Sequence, residues 1–460
     1  TEAWPEDGKI EAAYIAQIDG ERLRSFRRIR EKCTKAADEK YLIVRFETSR
    51  GSVWFNGSAP PDNLNPQTVK RFIQLTHEHY KSLLKGINCV PGIFTDEPSI
   101  ADRHAAFPPE RSWMPWSYGM QEYYKEVTGK DIFDTFPLLF FTEKGSRKAR
   151  FDYWRTIAKR FEECYSQTIG DWCHANGYQF TGHYLQEDKL GLQTRVSGSV
   201  MPHYRHEDIP GIDLLCERCD EYLTVKQCAS VAHQTGKKRV LAETFAACGW
   251  DFTLTGQKWI TDWEYVLGVT NKVEHLALYS LRGGRKRDYP ASFSTHSPFF
   301  AMQHCMEDYS ARLSMLLQQG EHLTRTLIIH PQTTVWSRFG CSPYGNPVRR
   351  NERDLRENDE LGFRLSDLIR KLENALIDPD LGDETIIAQT GCAEADCFRI
   401  GCACYSDIIL PWMENITEKV LRLLAEFNGR IIVLGDLPHL VDGEESTLAE
   451  KLLLKKAVFA

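Results

Sequence analysis

The chain has 460 residues, 42% hydrophobic and 26% charged, with a formal net charge of −7 and a pI near 6.1. This is globular composition, long enough for two domains, and its mild acidity argues against nucleic acid or an anionic membrane as partner. No apolar run approaches the roughly 18 residues of a membrane-spanning helix, so no membrane role is expected.

Read in chain order, strand-like and helix-like segments alternate. Residues 10–18 (IEAAYIAQI) and 41–48 (YLIVRFET) have the β-branched and aromatic content of strands. Asn65-Pro66 fits a helix start, with Asn65 as the cap and Pro66 in the first turn, and helical periodicity runs through residue 85. The next strand is 92–97, GIFTDE. Helices are expected at 117–129 and 147–176, followed by a strand at 178–184 and a short one at 212–215. A helix at 221–235, a strand at 239–245, a helix at 257–268, a strand at 275–281 and a helix at 300–319 complete this half. Such β/α alternation implies a parallel sheet with outer helices. Six or seven strands precede residue 300, close to the eight of a (β/α)8 TIM-type barrel.

The pattern changes near residue 320. Strands are expected at 327–329, 407–411 and 429–435, with helices at 360–376 and 416–427. The Arg-rich stretch 343–358 reads as a connecting loop. The expected boundaries are therefore a barrel domain over 1–322 and a smaller flavodoxin-like α/β domain over 323–460.

Fourteen cysteines are scattered along the chain rather than framed as in a small disulfide protein. They are expected to be reduced, and the compartment cytoplasmic. The best metal candidate is Cys216-x-x-Cys219 with Cys228 nearby, but one CxxC without a second pair is weak zinc evidence, and the group Cys392, Cys397, Cys402 and Cys404 is also off-pattern. The chain opens at Thr1 rather than Met.

The barrel reading puts successive strand ends on one rim, where chemistry resides. Those ends carry Glu47, then Asp96 and Glu97, then His183 with Tyr184, Glu187 and Asp188, then Asp213, Glu243 and Arg282. Any one acid is explained by a salt bridge or a helix cap; a run of six polar strand ends is not. Two opposed carboxylates are the requirement of glycoside hydrolysis, one as proton donor and the other as nucleophile or base. Glu97 and Glu243 are the pair of choice, because each follows an apolar strand and precedes a break in it. Their separation decides between retention and inversion.

Asp96, Glu47, Trp54, His183, Tyr184, Glu187, Asp213, Trp250 and Arg282 are the candidate substrate contacts. For Trp54 and Trp250 the plain alternative is loop packing. For His183 it is a satisfied core histidine, and for Arg282 a salt bridge. No cofactor is expected, although Glu187, Asp188 and Asp96 offer the oxygen ligands that calcium takes. A zinc-type hydrolase built on His183 lacks the HxH spacing such sites use.

Asp96-Glu97-Pro98 resembles the Asn-Glu-Pro of clan A glycoside hydrolases, with Asp in place of Asn; the resemblance implies that Glu97 is the acid/base. Glu243 falls where that clan places its second catalytic Glu. Several stretches resemble bacterial family 106 α-L-rhamnosidases: Asn63 to Pro66, Phe94 to Pro98, Gly182-His183, Ala242-Glu243 through Trp250, Lys258 to Trp263, and Arg282 to Arg285. This resemblance spans roughly residues 40–300 and implies a glycoside or oligosaccharide substrate. The last third resembles the glutamine-amidotransferase-like domain of family 42 β-galactosidases, which implies a part in homo-oligomer formation. These relatives carry two more strands before the region matching residue 40, so the barrel is expected to be incomplete at its N-terminus or irregular. A catalytically inactive, carbohydrate-binding fragment is the alternative.

Overall fold

The computed structural model describes residues 4, 9–20, 22–48, 51, 55–87, 89–100, 112–340, 352–395 and 397–460. Three layers of structure follow one another along the chain. The first is an antiparallel sheet of β1 (Ala12–Asp19), β2 (Arg22–Ile29) and β3 (Glu39–Val44), in the order β2-β1-β3. The strand expectations at 10–18 and 41–48 are met in place but not in role. Both strands pair antiparallel and stand outside the parallel sheet. β2 was not anticipated, because its Arg-rich sequence RLRSFRRI buries only Leu23 fully. The sheet is held down by Tyr14, which is fully buried and donates from its hydroxyl to the Phe133 carbonyl at 2.5 Å.

The second layer is a curled parallel sheet of β4 (Gly92–Thr95), β5 (Gln179–Gly182), β6 (Ile209–Leu214), β7 (Leu241–Thr244) and β8 (Asn271–Glu274), hydrogen-bonded in that order. Among the described residues this sheet has five strands, not eight. β8 also lies earlier than the expected 275–281. The connecting helices fall close to expectation, at Met120–Thr128, Tyr222–Thr235, Leu254–Val266 and Phe300–Leu317. The helix expected at 147–176 is a continuous helical stretch in three segments, from Ser146 to Ala175. The Asn65 cap is present: its Oδ1 accepts from the Gln67 N–H at 3.0 Å, at the head of helix Pro66–Leu75.

The sheet closes up because glycine occupies the inward-facing contacts. A Cβ on Gly182 would lie 2.3 Å from the Thr95 carbonyl oxygen, and one on Gly211 would lie 2.3 Å from the Gly182 carbonyl oxygen. No other residue type permits strands to approach so closely there.

The last third forms a second parallel sheet. Its strands lie in the order Pro379–Gly382, Thr326–Ile329, Asp407–Pro411, Arg430–Leu434, Ala457–Phe459. The expected strands at 327–329, 407–411 and 429–435 are present, but the two edge strands were not anticipated. Pro379 opens an edge strand, where its missing N–H costs no ladder bond. Residues 343–351 of the expected loop lie outside the described residues, and from Glu352 the chain is helical through Asn374. A small antiparallel sheet (Gly391–Ala393, Phe398–Ile400, Ala403–Tyr405) is inserted before Asp407. Within it Cys397 and Cys404 form a disulfide, which corrects the all-reduced expectation.

One apolar core runs through both halves. At the seam, Trp154 Nε1 donates to the Phe339 carbonyl at 2.7 Å. His233 Nδ1 lies 2.9 Å from Asp380 Oδ1, and the fully buried Lys226 ammonium meets Asp378. No described helix is long and apolar enough to cross a membrane.

Candidate active site

Parallel pairing brings four strand ends to one side of the sheet, with Gly182 of β5 beside Pro210 of β6 and Asp213 three residues farther along. Thr95 of β4 pairs with Gly182 of β5, and Asp213 of β6 pairs with Glu243 of β7. The residues just beyond β4 and β5 are Asp96-Glu97 and His183. One end of the sheet therefore gathers Asp96, Glu97, His183, Asp213 and Glu243.

His183 is the hub. Its side chain is fully buried, yet three carboxylates from three strands reach it. Asp96 Oδ1 lies 2.9 Å from Nε2, Asp213 Oδ2 lies 3.8 Å from Nε2, and Glu243 Oε2 lies 3.5 Å from Nδ1. Glu97 joins them: one ligand atom each from Glu97, His183 and Asp213 all fall within 4.8 Å of one another. Glu97 is half-buried and adopts a left-handed φ of 43°. That conformation costs a residue with a Cβ about 1 kcal/mol, and the buried Pro98 follows it. The chain thus turns sharply at the mouth of β4, which is why the strand stops where the acids begin.

Electrostatics ties the group together. Burial pulls the His183 imidazole toward its neutral form, but Asp96 at Nε2 and the charges of Glu187, Asp213 and Glu243 outweigh it, so the pKa stands at about 9. The same contact holds Asp96 below the usual carboxylate range. Burial pushes Asp213 up to about 7; the nearby Glu243, Glu97 and Asp96 add to this and the imidazolium opposes it. Near neutral pH the site is therefore an imidazolium facing several carboxylates, with a proton resident on Asp213 for part of the time.

Glu187 forms the floor. Its Oε1 accepts from the Tyr204 hydroxyl at 2.6 Å and the Tyr184 N–H at 3.2 Å, while Oε2 accepts from the Asp213 N–H at 3.1 Å. Burial pushes its pKa up to about 8. It fixes the β6 backbone under Asp213 rather than facing solvent. The three acids named for calcium have separate partners: Asp96 is on His183, Asp188 pairs with Arg218 at 3.0 Å, and Glu187 lies beneath.

The remaining candidates are placed as follows. Tyr184 is buried, its hydroxyl 2.8 Å from Ser166 Oγ and its ring against His203, so it belongs to the core and not to an open cleft. Glu47 is exposed, three residues beyond β3 of the antiparallel sheet. Trp250 is half-buried, and its indole N–H donates to the Lys286 carbonyl at 2.8 Å. Arg282 is exposed and makes no ion pair with a rim acid among the described residues. Trp54 lies outside the described residues. His275, at the end of β8, was missed; its Nε2 is 3.8 Å from Glu243 Oε1. The signal was Glu274-His275 itself, concealed because the strand was sought a few residues later. Phe94 stacks edge-on to His183 at 5.5 Å and is itself 42% exposed, which gives the site an apolar wall.

Residues 95–332 match the family model for glycoside hydrolase family 106, alpha-L-rhamnosidase. No curated protein matches the chain. Among solved structures, a rhamnosidase from Novosphingobium sp. PP1Y is similar, with a TM-score of 0.62 and 21% identity over 91% of this chain and 38% of that one. A cold-adapted β-galactosidase from Rahnella sp. R3 gives a TM-score of 0.56 and 13% identity over 83% of this chain and 56% of that one. A β-galactosidase from the haloarchaeon Halorubrum lacusprofundi gives 0.54 and 9% identity over 87% and 61%. This chain thus spans under two thirds of each of these structures.

Proposed function

The chain belongs to the alpha-L-rhamnosidase family of glycoside hydrolases, and on that footing we propose that it cleaves glycosidic bonds with the carboxylates gathered around His183. The observation that carries this reading is the convergence of Asp96, Asp213 and Glu243 from three strands on one buried imidazole, with Glu97 beside them. Glu97 is the general acid and Glu243 the base or nucleophile. His183 and Asp213 position the pair: the imidazolium holds the Asp96 carboxyl below its usual range, and Asp213 shares the proton inventory. The substrate is a glycoside or oligosaccharide, with an α-L-rhamnoside the first choice.

The two sheets are read as two domains, 1–322 and 323–460. In the second, strand order 2-1-3-4-5 supports a flavodoxin-like arrangement, with homo-oligomer formation as its role.

Aryl glycosides test the reading, beginning with p-nitrophenyl α-L-rhamnoside. Glu97→Gln and Glu243→Gln should each lower kcat by about 10²–10⁴-fold. Azide should restore turnover of an activated substrate in one variant only. Near-wild-type rates in both would remove the pair from the mechanism. The second reading is a carbohydrate-binding fragment without turnover, and five strands in the described parallel sheet favour it. Under that reading, calorimetry would detect saturable sugar binding while no glycoside is hydrolysed.

A further inference from the structure

The small antiparallel sheet of the second half carries a cluster that hydrolysis leaves unused. Its strands pair Cys392 with Arg399 and Arg399 with Cys404, so these side chains form one row across one face. Phe398, Ile400 and Tyr405 occupy the other face and are fully buried. The apolar face accounts for the packing of this sheet, so packing does not account for the cysteines, which lie on the outer side. A free cysteine in a structural role is ordinarily buried; here the free Cys392 is exposed, beside the half-buried Cys397–Cys404 pair.

Glu394 stands among the sulfurs. Its Oε1 is 3.8 Å from Cys392 Sγ and its Oε2 is 3.5 Å from Cys397 Sγ. One ligand atom each from Glu394, Cys397 and Cys404 all lie within 4.8 Å of one another. We propose that, once a thiol or phosphine reductant has delivered two electrons, with two protons from solvent, to the Cys397–Cys404 disulfide, Cys392, Glu394, Cys397 and Cys404 bind one thiophilic divalent cation, zinc in the first instance. Three thiolates and one carboxylate complete the tetrahedral donor set of a closed structural site. Coordination converts the three thiols to thiolates and releases their protons to solvent.

Arg399 is built into the arrangement. Its Nε lies 2.6 Å from Glu394 Oε1 and its Nη2 lies 3.0 Å from Oε2. It orients the carboxylate and offsets the excess negative charge of three thiolates and a carboxylate around one dication, as supporting partners of metal ligands do. The site fastens three strands of three residues each, too short to hold together on their own hydrogen bonds. The hairpin is tied to the first half where the Cys402 N–H donates to the Gln234 carbonyl at 2.9 Å.

The test uses the full chain, reduced with a phosphine, freed of metal by a chelator, and titrated with zinc against a chromophoric indicator. A parallel titration with cobalt(II) reads the sulfur-to-metal charge-transfer band. One equivalent should bind, with the band of a tetrahedral thiolate site. Cys392→Ser with Cys404→Ser should lose that equivalent, Glu394→Gln should shift the cobalt spectrum, and Cys216→Ser with Cys219→Ser should keep both. Glu394→Gln removes no sulfur, so its spectrum remains informative if the cysteine variant misfolds. A reduced chain that binds no equivalent would overturn the proposal and leave Cys397–Cys404 a plain disulfide. So would an equivalent that persists without Cys392 and Cys404.

Discussion

Gly182→Ala probes the site without touching a single ionisable group. The added Cβ would lie 2.3 Å from the Thr95 carbonyl oxygen and 2.8 Å from Thr95 Oγ1, where ordinary contact begins at 3.4 Å. β4 and β5 must therefore part by about 1 Å, because both obstructing atoms belong to or adjoin the backbone and neither strand has a flexible side chain that could swing away. The Thr95 carbonyl also accepts from the His183 N–H at 3.3 Å, so the shift falls on the segment that presents Asp96 and Glu97 to His183. Overpacking of this kind costs about 1–3 kcal/mol, and a displacement of about 1 Å in a catalytic group costs about 10²-fold in rate. Urea unfolding and aryl-glycoside turnover read the two effects separately. Gly362→Ala is the control: it lies within helix Glu352–Asn374, its nearest neighbour would be Leu190 at 3.4 Å, and it should leave stability equal or slightly raised. If Gly182→Ala unfolds at the wild-type urea concentration and retains its rate, close approach of β4 and β5 is not what positions the carboxylates.

His183→Gln removes an imidazolium whose pKa is raised to about 9 from an ordinary 6.5. Its stabilisation, about 3 kcal/mol, is therefore fully present below pH 6.5 and lost as pH rises through 9. Urea midpoints of wild type and variant should differ at pH 6 and converge near pH 9.5; an equal gap at both would contradict the charge assignment. Lys226→Met leaves Asp378 and Glu373 without the fully buried ammonium that serves both. It should lower stability by about 3–5 kcal/mol, with Asp378→Asn recovering part of the loss; an unchanged unfolding midpoint would show that the seam does not depend on the lysine. Trp154→Phe removes the indole donor to the buried Phe339 carbonyl and should cost about 1–3 kcal/mol by the same assay.

The strands bearing Asp96, His183, Asp213 and Glu243 were legible because a buried parallel strand is a short apolar run, and a polar residue at its end has one place to go. Role and pairing partner were not legible in the N-terminal segment. Residues 10–18 and 41–48 have strand composition, but a period of two is the same in parallel and antiparallel sheets. β8 was sought in the apolar HLALYSL, whereas the strand is the half-exposed Asn271–Glu274 at the sheet edge, where apolar content no longer marks position.

Two neighbouring residues show where reading by proximity fails. His183 and Tyr184 stand side by side at the end of β5, and both were candidate sugar contacts. Successive residues of an extended chain point to opposite faces, so if His183 meets the carboxylates, Tyr184 must turn into the core, where it rests on His203 and Ser166. The same alternation sets Glu243 on the site while Thr244 is fully buried and donates to Glu264 at 2.9 Å. Alternation holds only while the chain stays extended: Asp96 and Glu97 both reach the site because the left-handed φ of 43° at Glu97 breaks it. The centrality of His183 is a different matter. It rests on four parallel strands paired in turn, Thr95 beside Gly182, Gly182 beside Pro210, and Asp213 beside Glu243. Gly182 and Gly211 permit that pairing, because a Cβ at either would lie 2.3 Å from a neighbouring carbonyl oxygen. The glycines were visible in the sequence, but what they exclude is visible only once their neighbours are known.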